Sequence, residues 1–309
     1  MTDFMGDSCA ELRKRLTRSV RRNQGEAILV SGGIDSGIVA SLAPHVMGIV
    51  VSLDGRGEDL QYISILKKMV DLDVTVVTVG PEKALFAVRA VVKILGSFDP
   101  AIPNDLAVYF GMKEAKRLGF KSIMTGDGAD ELFGGYSYMH EIEDLDSYIR
   151  SISQSMVFSS NRIGEHFGLE IRQPYLDEEI IEFALSLGKE DKIKKDRGEV
   201  WGKWALRKAF EPFLPARFIW QDKRPLEVGS GMTRLRQVIC EGISDEEYEE
   251  KKRKYGVDFL CKEHVFFYET YLREVGPIPR PRPDEDTCPG CGAGMAGKAR
   301  HCKLCGWVK

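Results

Sequence analysis

No apolar run in this 309-residue chain approaches the 18 or more residues of a membrane span. The opening residues MTDFMGDSCAELRKRL hold acids and an early charge run where an export signal needs an apolar stretch. Both absences argue against a membrane or secreted protein and for the cytoplasm. An excess of one charge is missing too. Lys+Arg 44 against Asp+Glu 47 leaves −3, so no global basic field argues for nucleic acid, and only local patches keep that class open. No internal repeat is visible. With 43% hydrophobic and 29% charged residues the chain is too apolar to be disordered, and its length suffices for one large or two modest domains. Cysteine is thin through most of the chain. Cys9, Cys240 and Cys261 are scattered and no CxxC occurs in 1–287, whereas Cys288, Cys291, Cys302 and Cys305 crowd the last 22 residues. Without an export signal, that clustering predicts a metal site rather than disulfides.

Residues 9–22 place Leu12, Leu16 and Val20 four apart among Arg and Lys, which predicts an amphipathic helix with its basic face in solvent. Short apolar runs at 27–30, 48–53, 74–79 and 121–126 read as buried strands. Helical patterns follow the first strand until Pro44 and cover 58–70, 82–95 and 105–117, with the loop GSFDPAIPND before the last of these. Strand and helix alternating in this way predict an α/β fold, a parallel sheet covered on both faces. From 140 to 275 the pattern is mostly helical, an added helical layer. GPIPRPRPDEDT (276–287) has four prolines in twelve residues and reads as a stiff, extended linker. The expected organisation is a domain over 1–275, the linker 276–287 and a small module over 288–309.

Two glycine-rich stretches carry the chemistry. SGGIDSG, Ser31 to Gly37, lies between the first strand and a helix, where free backbone N–H groups and the helix dipole favour an anion. No Gly-Lys-Ser/Thr closes it, so it is not a Walker loop, and it is not GxGxxG. Asp35 suits phosphate only through Mg²⁺, which takes carboxylate and phosphate oxygens together. TGDGADELFGGY, Thr125 to Tyr136, sets Asp127, Asp130 and Glu131 among glycines after the run KSIMTG, at a strand end where open α/β sheets bind ligands. A carboxylate there can hold Mg²⁺; an acidic helix N-terminus is the alternative reading.

SGGIDS resembles the SGGxDS pyrophosphate loop of the ATP pyrophosphatases, and TGDGADELFGGY resembles the SGEGSDELFGGY block of asparagine synthetases and β-lactam synthetases. The helix before the loop, FDPAIPNDLAVYFGMKEAKRLGFKSIMTGDGADE, GLEIRQPYLDEEIIEFAL and WGKWALRKAFEPFLPARFIWQDKRPLEVGSG are similar to family segments in the same order, over roughly 9–235. The resemblance is to the synthetase domain of the asparagine synthetase family. It implies a doubly wound parallel sheet of the adenine nucleotide α hydrolase type and an AMP-forming ligase using ATP and Mg²⁺. Carried over, Ser31, Gly32, Gly33, Asp35 and Ser36 would hold pyrophosphate, Asp35 and Asp130 would bind Mg²⁺, and Val30, Val51 and Gly126 would flank the adenosine. Lys223 matches the family's catalytic lysine, a compact cation suited to charge on a transferring phosphoryl group. Tyr136 and Glu170 fall where β-lactam synthetases place a proton-abstracting Tyr–Glu pair; pairing of Glu170 with Arg172 is the alternative.

Two departures stand out. Thr2 follows Met1 where the family has a nucleophilic Cys, and 30 residues precede the loop instead of a glutaminase domain, so free ammonia or a separate glutaminase subunit is expected to supply nitrogen. Asp127 replaces the family's Glu and is one methylene shorter, near where the acceptor acid would sit.

Cys288-x-x-Cys291, ten residues, then Cys302-x-x-Cys305 has the spacing of a zinc ribbon, with Gly292 and Gly306 permitting the tight turns. Four thiolates leave no open position, so Zn²⁺ is expected to be structural, and His301 is not needed as a ligand. Lys298, Arg300, His301, Lys303 and Lys309 keep an RNA or protein contact open. The leading expectation is therefore adenylation of a small carboxylate, the aspartate side chain, followed by attack of ammonia. An RNA- or protein-modifying enzyme that recruits its substrate through the ribbon is the other.

Overall fold

A five-stranded sheet is built from β1 (Ala27–Leu29), β2 (Met47–Leu53), β3 (Asp73–Val79), β4 (Ser122–Met124) and β5 (Glu170–Arg172), with β-branched runs in β2 and β3. The computed structural model describes residues 2–154, 156–196, 198–297 and 299–309, with backbone alone for 2–5. Lys298, one of the expected ribbon cations, lies outside the described residues. Strand order is β3-β2-β1-β4-β5 and every pairing is parallel, as a doubly wound sheet requires. Ile28, Ile49, Val50 and Val51 are all buried, because helices cover both faces and leave the central strands no wet side.

The helices are α1 (Thr2–Arg22), α2 (Ile34–Leu42), α3 (Asp59–Met69), α4 (Pro81–Leu95), α5 (Ile102–Arg117), α6 (Ala129–Phe133), α7 (Leu145–Ser153) and α8 (Ser159–Phe167). There follow α9 (Glu178–Ser186), α10 (Lys189–Lys192), α11 (Trp204–Phe210), α12 (Ala216–Ile219), α13 (Leu226–Gly229), α14 (Arg234–Glu241), α15 (Asp245–Tyr255) and α16 (Lys262–Glu274). One core packs α1, α2, α6, α9 and α11 on the sheet; the other packs α4, α5, α8, α14 and α16. Among the described residues no helix is long and apolar enough to cross a membrane.

Three differences from the sequence reading have physical causes. α5 begins at Ile102, so the expected loop is shorter; Pro103 sits in the first turn, where a missing N–H costs nothing. The 140–275 stretch contains β5, whose EIR carries one apolar residue and gives no strand pattern, and a hairpin of β6 (Lys194–Asp196) and β7 (Glu199–Trp201). In α1, Leu12, Leu16 and Val20 are fully buried, but the basic face is not left to solvent alone. Arg22 meets Asp177 at 2.7 Å and Glu179 at 2.8 Å, and Arg18 meets Glu179 at 2.8 Å. Those acids open α9, where the helix dipole already favours them.

The C-terminal module starts before its first cysteine, with β8 (Glu285–Thr287) antiparallel to β9 (Gly294–Ala296). All four cysteines are buried and belong to the same core as α4, α5 and α16. The proline-rich stretch therefore does not hold the ribbon away from the sheet.

Candidate active site

From β1 the chain moves outward to β2 and β3, and from the neighbouring β4 it moves the other way to β5. The carboxyl ends of β1 and β4 thus bound the crevice where doubly wound sheets bind ligands. Each feeds one glycine loop. After β1, Ser31 N–H donates to Ser36 Oγ (3.0 Å), Gly33 N–H donates to Ser31 Oγ (3.2 Å), and α2 starts without a side-chain cap. A Cβ on Gly32 would lie 2.9 Å from Asp59 Cα, so only glycine fits. After β4, a Cβ on Gly126 would lie 2.8 Å from Ser36 N. The two loops touch, and glycine is what lets them.

A chain of alternating carboxylates and ammonium groups crosses the crevice. Lys203, buried, lies 2.8 and 2.7 Å from the two oxygens of Asp35 and 2.6 Å from Asp130 Oδ1. Lys223, on the surface side, reaches Asp130 Oδ2 at 2.5 Å. Burial works to raise the Asp130 carboxyl, but the two ammonium groups outweigh it and hold it down at about 2. Burial works to lower Lys203, and Asp130 and Asp35 together raise it instead. Lys203 opens α11 in the left-handed region, φ 55°, with its N–H on Phe133 O at 3.0 Å, so α6 pins the turn that delivers it.

Around this chain lie three connected recesses. Leu29, Val30, Val51, Ala107 and Val108 line an apolar one of about 170 Å³ beside Gly126. Ser31, Gly33, Asp35, Lys203, Lys223 and Arg224 line a polar one of about 90 Å³. Asp105, Asp127, Tyr136, Ser159 and Lys223 border the largest, about 810 Å³. Asp127 Oδ2 accepts from Thr125 (2.6 Å), Ser160 (2.6 Å) and Gln173 (3.0 Å), which fixes the short carboxylate in place.

Tyr136 and Glu170 are not brought together, which corrects the expected relay. Glu170 begins β5 opposite Ser122, at the amino end of the sheet and away from the crevice, where it pairs with Arg172 at 2.9 Å. The Tyr136 hydroxyl donates instead to Glu131 Oε1 at 2.7 Å. Burial raises Glu131, with the Tyr136 hydroxyl opposing it. Glu131, one of the three carboxylates read among the glycines, thus braces Tyr136, while Lys203 falls within a family-like segment with nothing in its local sequence to mark a role. Two more residues carry no local signal: Gln221 Nε2 donates to Gly32 O at 2.9 Å, and buried Asp59 backs Gly32, its carboxyl pushed up by burial to about 6.

The donor sets fit metals. Asp35 and Asp130 already share one cation, the Lys203 ammonium, so this oxygen-donor pair is the one that would hold Mg²⁺. In the ribbon all four Sγ atoms lie within 4.8 Å of one another, with Cys288–Cys305 at 3.7 Å and Cys291–Cys302 at 3.9 Å. Tetrahedral thiolates about 2.3 Å from Zn²⁺ stand about 3.8 Å apart. Gly292 (φ 78°) and Gly306 (φ 77°) turn each knuckle in the left-handed region. His301 points away, with Nε2 3.1 Å from Asp99 Oδ2.

The asparagine synthase family model matches residues 11–154 and 145–275. An asparagine synthetase [glutamine-hydrolyzing] of Triphysaria versicolor is 30% identical over 234 residues, 66% of this chain and 39% of that one. Asparagine synthetase B of Escherichia coli is 24% identical over 302 residues, and a probable asparagine synthetase of Schizosaccharomyces pombe 26% over 312, each covering 87% of this chain and 54% of the relative. The chain thus spans about half the length of the curated relatives it matches. With both glycine loops at one crevice and the match running through the whole sheet, the chain belongs to the asparagine synthase family.

Proposed function

We propose that the chain is an ATP-dependent, AMP-forming ligase that activates the side-chain carboxylate of aspartate and passes ammonia to it, giving asparagine, AMP and pyrophosphate. The observation that carries this reading is the Asp35–Lys203–Asp130–Lys223 chain at the contact of the two glycine loops. The backbone of Ser31, Gly32 and Gly33 with the Ser36 hydroxyl receives the departing pyrophosphate at the start of α2. Val30, Val51 and Gly126 flank the adenosine in the apolar recess. Asp35 and Asp130 are the residues that would hold Mg²⁺, whose charge offsets that of the phosphates. Lys223 lies between the phosphate recess and the large cleft, bordering both, where a cation stabilises charge on the α-phosphoryl group as the carboxylate attacks. Asp127 faces the cleft with one oxygen saturated by three donors, leaving the other to orient ammonia. Tyr136, braced by Glu131, forms a wall of the same cleft.

Pyrophosphate release from ATP and Mg²⁺ with ammonium and aspartate tests the reading. Aspartate is expected to stimulate release with asparagine formed, and Lys223→Ala to slow it by about 10²–10³-fold with ATP binding little changed. Stimulation by other carboxylates or by RNA, and none by aspartate, would replace the acceptor named here.

A further inference from the structure

The ribbon sits on the irregular turn that starts α5. The Phe98 N–H and the Ser97 hydroxyl both donate to Leu304 O, at 2.8 and 2.9 Å. A Cβ on Gly306 would lie 2.8 Å from Pro100 Cδ, so the second knuckle lies against the turn with no room for a side chain. Phe98 is fully buried, with its ring 5.0 Å from that of Tyr268 and 5.3 Å from that of Tyr271 on α16. On the first knuckle, Asp258 N–H donates to Gly290 O at 2.8 Å.

The same turn leads into the site. Asp99 Oδ1 accepts the Ala101 N–H at 2.8 Å, and the first turns of α5 then present Asn104 and Asp105. Asn104 Oδ1 accepts from Glu227 N–H at 2.8 Å, four residues after Lys223. Arg236 ties Pro100 O to Glu227 Oε2, both at 2.8 Å. Asp105 and Ser159 border two clefts at once: the large one of about 810 Å³, and one of about 530 Å³ whose far wall is the ribbon, including His301 and Leu304. The ribbon face and the acceptor cleft are two sides of one wall.

We propose that the metal-bound ribbon is an internal brace that sets this acceptor wall, residues 97–106, and through Asn104 and Arg236 the segment following Lys223. The naming of the large cleft as the acceptor's rests on the function proposed above; the brace itself does not. The turn at 97–101 directs hydrogen bonds to the ribbon backbone, and a module this small holds its shape through its metal. Releasing the metal frees the Leu304 carbonyl and lets the turn and the first turn of α5 open locally. The Ser31–Ser36 loop keeps its bonds, none of which passes through the ribbon.

The test strips zinc from the 309-residue chain with a chromogenic chelator that counts the metal released, then follows amide hydrogen exchange by peptide. Exchange in 97–106 and 224–230 is expected to rise at least about tenfold, with 27–37 unchanged, and added zinc is expected to reverse it. Ser97→Ala, which loses one bond to Leu304 and no cysteine, is expected to show a smaller rise in 97–106 with zinc still bound. Unchanged exchange in 97–106 after zinc release would overturn the proposal. So would an equal rise across the chain including 27–37, because the ribbon would then hold the whole domain and not this wall. These readouts need no substrate, so they stand apart from failure of the assigned reaction. In parallel, nucleotide affinity is expected to stay within about twofold while the acceptor KM rises.

Discussion

Lys203 shows how much one side chain decides at this crevice. It is a buried cation between two carboxylates that come from loops 95 residues apart in the chain, Asp35 and Asp130. Without it the two acids face each other across a water-poor gap. Lys203→Met is expected to destabilise the fold by about 3–5 kcal/mol, the usual result of removing one member of a buried charge group. Millimolar Mg²⁺ is expected to recover part of that loss, because a divalent ion can take the place between the carboxylates. Thermal melts of variant and wild type with and without Mg²⁺ check both statements. A variant as stable as wild type would show that the acids do not depend on this lysine.

At the scale of elements, the proposed reaction rests on two strand-to-helix turns in contact. Gly126→Ala is the sharpest probe, since its Cβ would lie 2.8 Å from Ser36 N, a backbone atom that cannot swing aside. The turns must separate by several tenths of an ångström, which misplaces Asp35 against Asp130. Pyrophosphate release is expected to fall on the order of 10²-fold while the circular dichroism spectrum is kept. Near-normal release would mean that the loops move apart freely. Both turns are legible in the amino-acid order, because each is a local pattern: an apolar run, small residues, then a helix. Glu170 teaches the opposite lesson. Motif position alone sets it near Tyr136, but in a parallel strand the two ends lie on opposite edges of the sheet, and β5 puts Glu170 at the wrong end.

The whole molecule sums opposed titrations. Burial raises Asp105 from 3.8 to about 7, with the Ser159 hydroxyl working the other way, and raises Asp59 to about 6. A carboxyl raised in the folded state contributes stability that is fully present below its unfolded value and is lost as pH rises through its folded value. Asp130 has the reverse sign: its contribution is present above 3.8 and is lost only as pH falls toward about 2. Urea midpoints between about pH 4 and 7 are therefore expected to fall in part through Asp105. Asp105→Asn is expected to flatten that decline, and the slope that remains to belong in part to Asp59. An identical pH profile for the variant would show that the Asp105 carboxyl titrates normally.

The sequence by itself determined the elements and turns whose causes are local. Short apolar runs specify β1 to β4, small residues specify the two glycine-rich turns, and CxxC spacing specifies the thiolate cluster. The tertiary structure alone decided which distant groups meet. It placed Lys203 between Asp35 and Asp130, Glu131 rather than Glu170 on Tyr136, and the ribbon on Phe98 and Asp99, more than 200 residues away in the chain. The physical reason is that a strand or turn is set by backbone geometry within a few residues. A buried charge pair or a docked module is set by burial, and burial exists only once the layers have packed.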